Sequence, residues 1–249
     1  MSLSVDLNAD LGEGEASEEE LLGLVSSANI ACGFHAGNPT TMTASIMTAR
    51  EAGVAVGAHP SLADRENFGR LEWPVTSNEI FALVAYQVGA FQAIANSLGV
   101  RPNHVKPHGA LYNMAARDPA LAKAVAHALL AVDRALILFA PDGSALAQAG
   151  EALGLRLSRE VFADRNYLAN GRLVPRTRPD ALLHDPEAVA ARVLRMLQEQ
   201  VVRSVEGIDV AIRADTICLH GDSPDAVAVA KKLRATLAAA DIEVVAPRP

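Results

Sequence analysis

Short apolar runs alternate along the chain with longer segments in which apolar residues recur at every third and fourth position. The short runs are typical of buried strands, and the longer segments are typical of amphipathic helices. The pattern predicts strands at residues 3–7, 27–32, 54–58, 103–107, 135–140, 155–161 and 215–219. It predicts helices at residues 18–25, 40–52, 77–97, 118–131, 143–153, 186–204 and 224–239.

This alternation of strands and helices indicates right-handed crossovers and an all-parallel sheet, either open and doubly wound or closed into a barrel. The chain has no GxGxxG after a predicted strand and no GxxxxGK[ST] anywhere, which weakens the nucleotide-binding open sheet. The sequence therefore favours one α/β domain over residues 1–249, a parallel (β/α) barrel of about seven strands. Residues 163–184 lack a clean period and are predicted to form an excursion or a lid over one mouth.

Half of the residues are hydrophobic but only 4% are aromatic, so the core must consist mainly of Ala, Val, Leu and Ile. That composition suits helices packed around parallel strands. A chain of 249 residues buries enough surface to fold without a disulfide or a structural metal. Cys32 and Cys218 each lie inside an apolar run, and we predict that both are buried free thiols.

The net charge of −7 comes without a cluster of Lys and Arg, which argues against a nucleic-acid partner. The first residues, MSLSVDLNAD, lack the basic and apolar regions of a signal peptide. The uninterrupted apolar runs are shorter than the ~18–20 residues that a membrane span needs. We therefore expect a soluble protein that does not enter a membrane and is located in the cytoplasm.

Several histidines stand where an apolar run stops and a turn begins. VAVGAH, at residues 54–59, ends on an imidazole that Pro60 follows directly. Four of the seven histidines have such a position: His35, His59, His108 and His220. The carboxyl ends of parallel strands share one rim of an α/β fold, so we expect these side chains to meet there.

The same strand ends carry further polar side chains. They are Asn8, Asp10, Glu13, Asn29, Lys106, Glu160, Asp164, Arg165 and Asp222. Any one of them alone fits a helix cap, a turn or a hydrogen-bonded structural role. Their joint occurrence at corresponding places in separate strand–helix units favours a functional site. His104, His127 and His184 lie elsewhere, and we interpret them as structural.

Imidazoles beside carboxylates suit acid–base catalysis near neutral pH, and the same groups can bind a divalent metal that activates water. A lysine and an arginine among them can hold a carboxylate or a developing oxyanion. The chain has no GxSxG elbow, so directed attack by water is favoured over a serine nucleophile. The residues alone leave hydrolysis of an amide, an ester or a glycosidic bond open.

Longer motifs carry a family resemblance. VDLNADLGEG, VSSANIACGFHAGN, GVAVGAHPSLADRENFGR, HVKPHGALYN, EVFADRNY, LVPR and ICLHGD occur in this order, from residue 5 to about residue 240. They resemble the LamB/YcsF family, whose members form the A subunit of prokaryotic ATP-dependent 5-oxoprolinase. The resemblance implies a distorted seven-stranded barrel related to those of glycoside hydrolases and polysaccharide deacetylases.

The implied reaction opens the lactam of 5-oxo-L-proline to L-glutamate while ATP becomes ADP and phosphate, with partner subunits B and C. Whether ATP binds this chain or its partners is open, and so is the use of a divalent metal. The resemblance and the strand-end positions together give the catalytic candidates Asp10, His35, His59, His108, Asp164 and His220. They give the substrate-binding candidates Asn8, Asn29, Lys106, Glu160, Arg165 and Asp222.

The expected mechanism uses Asp10 with His59 or His108 to activate water, while Lys106 and Arg165 hold the substrate carboxylate or the developing charge. Two alternatives stay open at this point. One is a metal-dependent deacetylase or amidohydrolase that needs no ATP, with Asp10, His59 and His108 around the metal. The other is a non-catalytic subunit that binds the lactam or serves as a scaffold.

Overall fold

The strands of the computed structural model, which describes residues 3–221 and 225–248, form a closed barrel and two smaller pairings. The strands are β1 (Ser4–Leu11), β2 (Ser27–Ala31), β3 (Ala55–His59), β4 (His104–Val105), β5 (Ile137–Pro141), β6 (Arg156–Phe162), β7 (Val201–Arg203), β8 (Asp209–Ala211), β9 (Thr216–Leu219) and β10 (Glu243–Val244). Strands β1 to β6 pair in parallel in chain order, β6 pairs with β9, and β9 pairs with β1. The predicted seven-stranded parallel (β/α) barrel is therefore confirmed.

Helices surround the barrel. They are α1 (Glu18–Leu22), α2 (Pro39–Glu51), α3 (Ser77–Ser97), α4 (Gly109–Arg117), α5 (Pro119–Val132), α6 (Ala145–Ala152), α7 (Pro186–Glu199) and α8 (Ala226–Ala239). Their starts follow the sequence signals, since Thr76 and Glu79 form a reciprocal capping box at the start of α3. Both cysteines are buried and free, in agreement with the prediction.

The sequence-based prediction of a helix over residues 186–204 is wrong at its carboxyl-terminal end. Helix α7 stops at Glu199 because Gln200 takes a left-handed conformation, with φ of 56°. The next residues form β7, which pairs with β8 in an antiparallel hairpin outside the barrel. Helix α4 is absent from the sequence-based prediction, because its sequence GALYNMAAR follows the rim motif directly and is short.

By length and composition, α3 alone among the described helices is apolar enough to cross a membrane. In the structure one face of α3 is buried in the hydrophobic core, through residues such as Ile80, Val84 and Phe91. The apolar character of α3 is accounted for by its packing in the barrel's outer layer.

Residues 163–184 carry little regular structure beyond isolated bridges between Arg165 and Leu182 and between Tyr167 and Leu173. Tyr167 anchors the segment, because its buried hydroxyl accepts a hydrogen bond from the backbone N–H of Phe162 at 2.8 Å. Behaviour of this segment as a lid stays a prediction.

The inside of the barrel is polar along β1. Asp6, Asn8 and Asp10 occupy alternate positions, and the first two bond to Thr216 on the opposite side of β1 from β2. Successive strand residues point to opposite faces, so the apolar residues between them face the helices. The alternation of SVDLNADL is thus the signature of a strand with an apolar outer face and a polar inner face.

His104 lies in this interior and has a structural role, as the sequence suggested. Its ring stacks on Phe139, with centroids 4.2 Å apart, and its Nε2–H donates to the Asn29 side-chain oxygen at 2.8 Å. The ring also covers Gly57, where a Cβ atom would lie 2.2 Å from the imidazole. Glycine at 57 is therefore required by this close approach.

We expect Gly57→Ala to lower the free energy of unfolding by roughly 2–3 kcal/mol, because the methyl group overlaps the buried His104 ring. The matched control is Gly89→Ala in α3, where a Cβ atom meets nothing within 4 Å. That change should raise stability by up to about 1 kcal/mol through helix propensity. Urea unfolding of both variants checks the pair, and equal effects would contradict the packing argument.

A buried carboxyl group lies at the amino-terminal end of the barrel interior. Asp6 accepts hydrogen bonds from Ser26 and Ser27 at 2.7 Å and from Thr216 at 2.5 Å. Burial raises the pKa of Asp6 to about 6, although these hydroxyl groups oppose the rise. Folding therefore favours the protonated form of this group.

The contribution of Asp6 to stability is present in full below the unfolded pKa near 3.8 and is lost as the pH rises through about 6. Relative to Asp6→Asn, the wild-type protein should lose about 2 kcal/mol of unfolding free energy between pH 4.5 and pH 7.5. Urea unfolding at several pH values measures this difference. The exposed Asp241, changed to Asn, is the control and should run parallel to the wild type. Parallel curves for Asp6→Asn would show that the group does not titrate in this window.

Candidate active site

Three of the four predicted rim histidines meet at the carboxyl ends of the barrel strands. The Nε2 atom of His59 lies 3.0 Å from Nδ1 of His108, and the rings of His35 and His108 stack with centroids 3.9 Å apart. Glu13 completes the group. Its Oε1 atom lies 2.8 Å from His35 Nε2, 3.6 Å from His108 Nδ1 and 3.9 Å from His59 Nε2. We call these four residues the imidazole cluster.

Backbone carbonyl groups fix the tautomers of two of these rings. His59 Nδ1 lies 2.6 Å from the Lys106 carbonyl oxygen, and His108 Nε2 lies 2.9 Å from the Phe68 carbonyl oxygen. A carbonyl oxygen only accepts, so each of these nitrogens carries the proton and donates it. The other two nitrogens, His59 Nε2 and His108 Nδ1, face each other at 3.0 Å, and because burial lowers the pKa of His108 well below normal, its Nδ1 carries a lone pair.

Glu13 reaches the cluster from a tight loop after β1. The backbone N–H groups of residues 12, 13, 14 and 15 all donate to the Glu18 carboxylate, at 3.0, 2.8, 2.8 and 3.1 Å. Gly12 and Gly14 allow this turn because both have positive φ angles, of 74° and 93°. The sequence signal was the repeated glycine in LGEGE, but the four N–H bonds to Glu18 could not be foreseen from it.

Beside the cluster lies a buried ion pair. Lys106 Nζ lies 2.9 Å from Asp10 Oδ1 and 3.1 Å from Glu160 Oε1, and it also approaches the Cys218 sulfur at 3.0 Å. The second oxygen of Asp10, Oδ2, lies 3.4 Å from His59 Nε2. Asp10 therefore links the lysine to the imidazole cluster.

Amide side chains complete the support of this ion pair. Asn29 donates to Asp10 Oδ1 at 2.9 Å and to Asn8 Oδ1 at 2.7 Å, while Asn8 donates to Glu160 at 3.1 Å. Asn8, Asn29 and Glu160 are at most 2% exposed. The structure places these three substrate-binding candidates inside the barrel, where they hold Asp10 and Lys106. Direct contact with a substrate stays a prediction for them.

On the other side of Asp10, the structure brings His220 and Asp164 together. His220 Nδ1 lies 2.9 Å from Asp164 Oδ1, and the His220 ring stacks on Phe162. The Nη2 atom of Arg165 donates to the Val174 carbonyl oxygen at 2.7 Å. Its Nε is buried without a hydrogen-bond partner among the described residues. Asp222, the last of the predicted site residues, lies outside the described residues.

The ionisable groups at the mouth differ in pKa between the Asp10–Lys106 ion pair and the imidazole cluster. Burial raises the pKa of Asp10, but the neighbouring His59 and Lys106 side chains outweigh it and hold the pKa well below its ordinary value. Burial lowers the pKa of Lys106, but Asp10, Cys218 and Glu160 more than compensate and raise it. Burial lowers the pKa of His35 to about 2 and, together with the other two imidazoles, lowers that of His108 well below normal.

This arrangement can accept a proton from water, and it offers two groups with the spacing of metal ligands. One is the imidazole cluster, and the other consists of Asp10, Cys218 and His220. Within each group the ligand atoms lie within 4.8 Å of one another. An ionised carboxylate, buried imidazoles and a buried ammonium group together suit hydrolysis of a stable bond.

Comparison with known proteins gives a family match and a similar solved structure. The model of the LamB/YcsF family matches residues 5–249. A lactam utilization protein from Thermus thermophilus is 43% identical, with a TM-score of 0.91 and coverage of 98% of this chain and 100% of that chain.

More distant solved structures share the fold alone. A family 4 carbohydrate esterase from Streptomyces lividans has 14% identity and a TM-score of 0.51, with coverage of 97% of this chain and 91% of that chain. A GH113 beta-1,4-mannanase has 10% identity and a TM-score of 0.51, with coverage of 95% of this chain and 99% of that chain. The expected relation to deacetylase and glycoside hydrolase barrels is therefore confirmed at the level of the fold.

The Glu18 carboxylate is expected to hold the loop that carries Glu13. We predict that Glu18→Gln lowers the hydrogen-exchange protection of the amides of residues 12–15 by about tenfold or more, because a charged acceptor of four N–H groups is lost. Mass-spectrometric exchange on the peptide that covers β1 and this loop measures the change. The control is Glu19→Gln, one residue along and exposed. Equal protection in the two variants would argue against the role of Glu18.

Proposed function

Because the chain belongs to the LamB/YcsF family, we propose that it acts in lactam utilization, as the hydrolytic subunit of a cytoplasmic ATP-dependent 5-oxoprolinase. Its substrate is 5-oxo-L-proline, its product is L-glutamate, and subunits B and C are its partners. The observation that carries the proposal is the Asp10–His59 pair at the barrel mouth, with Oδ2 and Nε2 3.4 Å apart and Lys106 behind the carboxylate.

A five-membered lactam is a stable amide, so its opening needs an activated carbonyl group and a directed water molecule. In the proposed reaction, ATP bound by the complex transfers its γ-phosphoryl group to the lactam oxygen and leaves as ADP. Water adds to the activated carbon, and the C–N bond breaks with its electron pair and a proton going to the nitrogen. A second water then releases phosphate and leaves glutamate, so that one ATP and two waters are used.

His59 accepts the proton of the attacking water in this proposal. Its Nδ1–H is committed to the Lys106 carbonyl oxygen, which leaves Nε2 with a lone pair at the mouth. Asp10, whose Oδ2 lies 3.4 Å from this same Nε2, stabilises the imidazolium that forms through its negative charge. His108, whose lone pair lies beside that of His59, orients the water.

Lys106 takes the role of a positioning residue rather than a substrate anchor. An ammonium group has three donors, and Nζ already lies within 3.2 Å of Asp10, Asn8, Glu160 and Cys218. In this proposal Arg165 binds the substrate carboxylate instead, because its buried Nε has no hydrogen-bond partner among the described residues.

The decisive experiment is ATP-dependent release of glutamate from 5-oxo-L-proline, measured with this chain alone, with subunits B and C alone, and with all three. We expect turnover in the complete mixture only, with one ADP formed for each glutamate. Full turnover without this chain, or its failure in every combination, would refute the assignment. Titration of ATP into each component would locate the nucleotide.

In the complete mixture, Asp10→Asn should lower kcat about a hundredfold to ten-thousandfold, because the amide cannot stabilise a protonated His59. The control is Asp241→Asn, the same chemical change at an exposed position that already has a left-handed φ of 55°, which Asn tolerates. Retained activity in Asp10→Asn would remove Asp10 from the mechanism.

A second candidate is an amidohydrolase that needs no ATP, and the imidazole cluster favours it because metal-activated water can attack an amide directly. The same assay separates the two functions. Release of glutamate, or cleavage of an acetylated amine, by this chain without ATP would support the second candidate.

A further inference from the structure

The proposed reaction needs a proton donor that the water-activating groups do not supply. When the lactam C–N bond breaks, the ring nitrogen must receive a proton, because a nitrogen anion is a poor leaving group. His59 takes a proton from water instead, and Asp10 faces the same nitrogen of His59 at 3.4 Å. The donor for the leaving nitrogen must therefore be a further group at the mouth.

His220 is held by Asp164 in one tautomer. Its Nδ1 atom lies 2.9 and 3.0 Å from the two carboxylate oxygens of Asp164. Burial raises the pKa of Asp164, but the neighbouring His220 side chain outweighs burial, and the pKa lies below its ordinary value. An ionised carboxylate only accepts hydrogen bonds, so Nδ1 of His220 carries a proton and donates it. The nitrogen of His220 that remains for a substrate is therefore Nε2.

His220 is also the most accessible of the four rim imidazoles. Its side chain is 12% exposed, whereas the side chains of His35, His59 and His108 are 0%, 1% and 6% exposed. One ring nitrogen of His220 lies within 4.8 Å of an Asp10 oxygen. A substrate that reaches the water-activating pair of Asp10 and His59 is therefore within reach of His220 as well.

The group of Asp10, Cys218 and His220 has the spacing of metal ligands, but a cation of the chain itself already lies there. Lys106 Nζ is 2.9 Å from Asp10 Oδ1 and 3.0 Å from the Cys218 sulfur. A divalent ion bound between the same atoms would be repelled by this ammonium group at close range. His220 is therefore better suited to act on a substrate than to bind a metal ion.

We propose that His220 is the general acid of this reaction and that Asp164 is its positioning residue, a role that rests on the proposed function. Water adds to the phosphorylated carbon, and the tetrahedral intermediate then breaks its C–N bond. The electron pair of that bond goes to nitrogen, and the proton of His220 Nε2–H goes to the same atom. The hydroxyl group that came from water loses its proton to solvent and becomes the carbonyl group of an acyl phosphate. Solvent returns a proton to His220, so the overall reaction keeps its proton balance.

The same tetrahedral intermediate has a second way to collapse. It can expel phosphate instead of nitrogen, which regenerates the lactam and uses one ATP without forming glutamate. When the nitrogen has no proton donor, this return path becomes faster relative to ring opening. Loss of the acid therefore changes the ratio of ADP to glutamate, whereas a structural defect lowers both in proportion.

The test compares His220→Asn with the wild type in the complete mixture with subunits B and C. Asparagine keeps a side-chain N–H that can reach Asp164, but it has no group at the place of Nε2. We expect glutamate release to fall about a hundredfold or more and the ADP formed per glutamate to rise about tenfold or more. In water that carries a heavy oxygen isotope, 5-oxo-L-proline recovered from the variant should contain the label, because its carbonyl oxygen has exchanged with water.

Asp164→Asn should change the ratio of ADP to glutamate in the same direction. The double variant should be no slower than His220→Asn alone, because the two residues act as a unit. The matched control is His127→Asn, at an exposed position on α5, which should keep one ADP for each glutamate. A ratio of one in His220→Asn would overturn the role of His220 while the proposed function stands. Failure of the wild-type mixture to form glutamate would overturn both.

Discussion

The buried ammonium group of Lys106 is the interaction on which the site depends. Removing an ion from water costs several kcal/mol, and an isolated charge inside a barrel would not be tolerated. Asp10 and Glu160 supply the opposite charge, at 2.9 and 3.1 Å, and Asn8 supplies a further acceptor at 3.2 Å. Because these partners come from different strands, closure of the barrel and assembly of the ion pair require each other.

The polar network extends from this ion pair in both directions. Towards the amino-terminal end, Asn8 bonds to Thr216, and Thr216 bonds to Asp6. Towards the mouth, Asp10 lies beside His59, and His59 is oriented by the backbone at Lys106. A continuous network of this kind fixes the donor and acceptor roles of each member, so the groups at the mouth are held in place before any substrate binds.

The sequence predicted the seven barrel strands and the rim position of four histidines, because strand ends in parallel folds are a strong geometric constraint. It failed where the geometry is set by single backbone angles or by contacts between distant residues. The helix end at Gln200 depends on one left-handed residue, and the hairpin after it has a sequence that continues the helical pattern. The hydrogen bond from Arg165 to the Val174 carbonyl oxygen depends on the fold of residues 163–184, which has no regular pattern in the sequence. Glu13 stood at the predicted rim, yet its central place depends on the loop that Glu18 holds.

Asp10 lies between two different groups of side chains and contacts both, through His59 on one side and Lys106 on the other. On one side lie neutral, stacked imidazoles in which burial opposes protonation of His35 and His108, and on the other lie the charged Lys106 and the His220–Asp164 pair. A substrate bound across the mouth would therefore meet imidazole nitrogens on one side, and the Lys106 ion pair and the His220–Asp164 pair on the other. In the proposed reaction the imidazole side directs the nucleophile, while the Lys106 ion pair holds Asp10 in place beside His59. Asp10 joins the two sides, so in the proposed reaction its fixed orientation sets where along the mouth the reacting carbon lies.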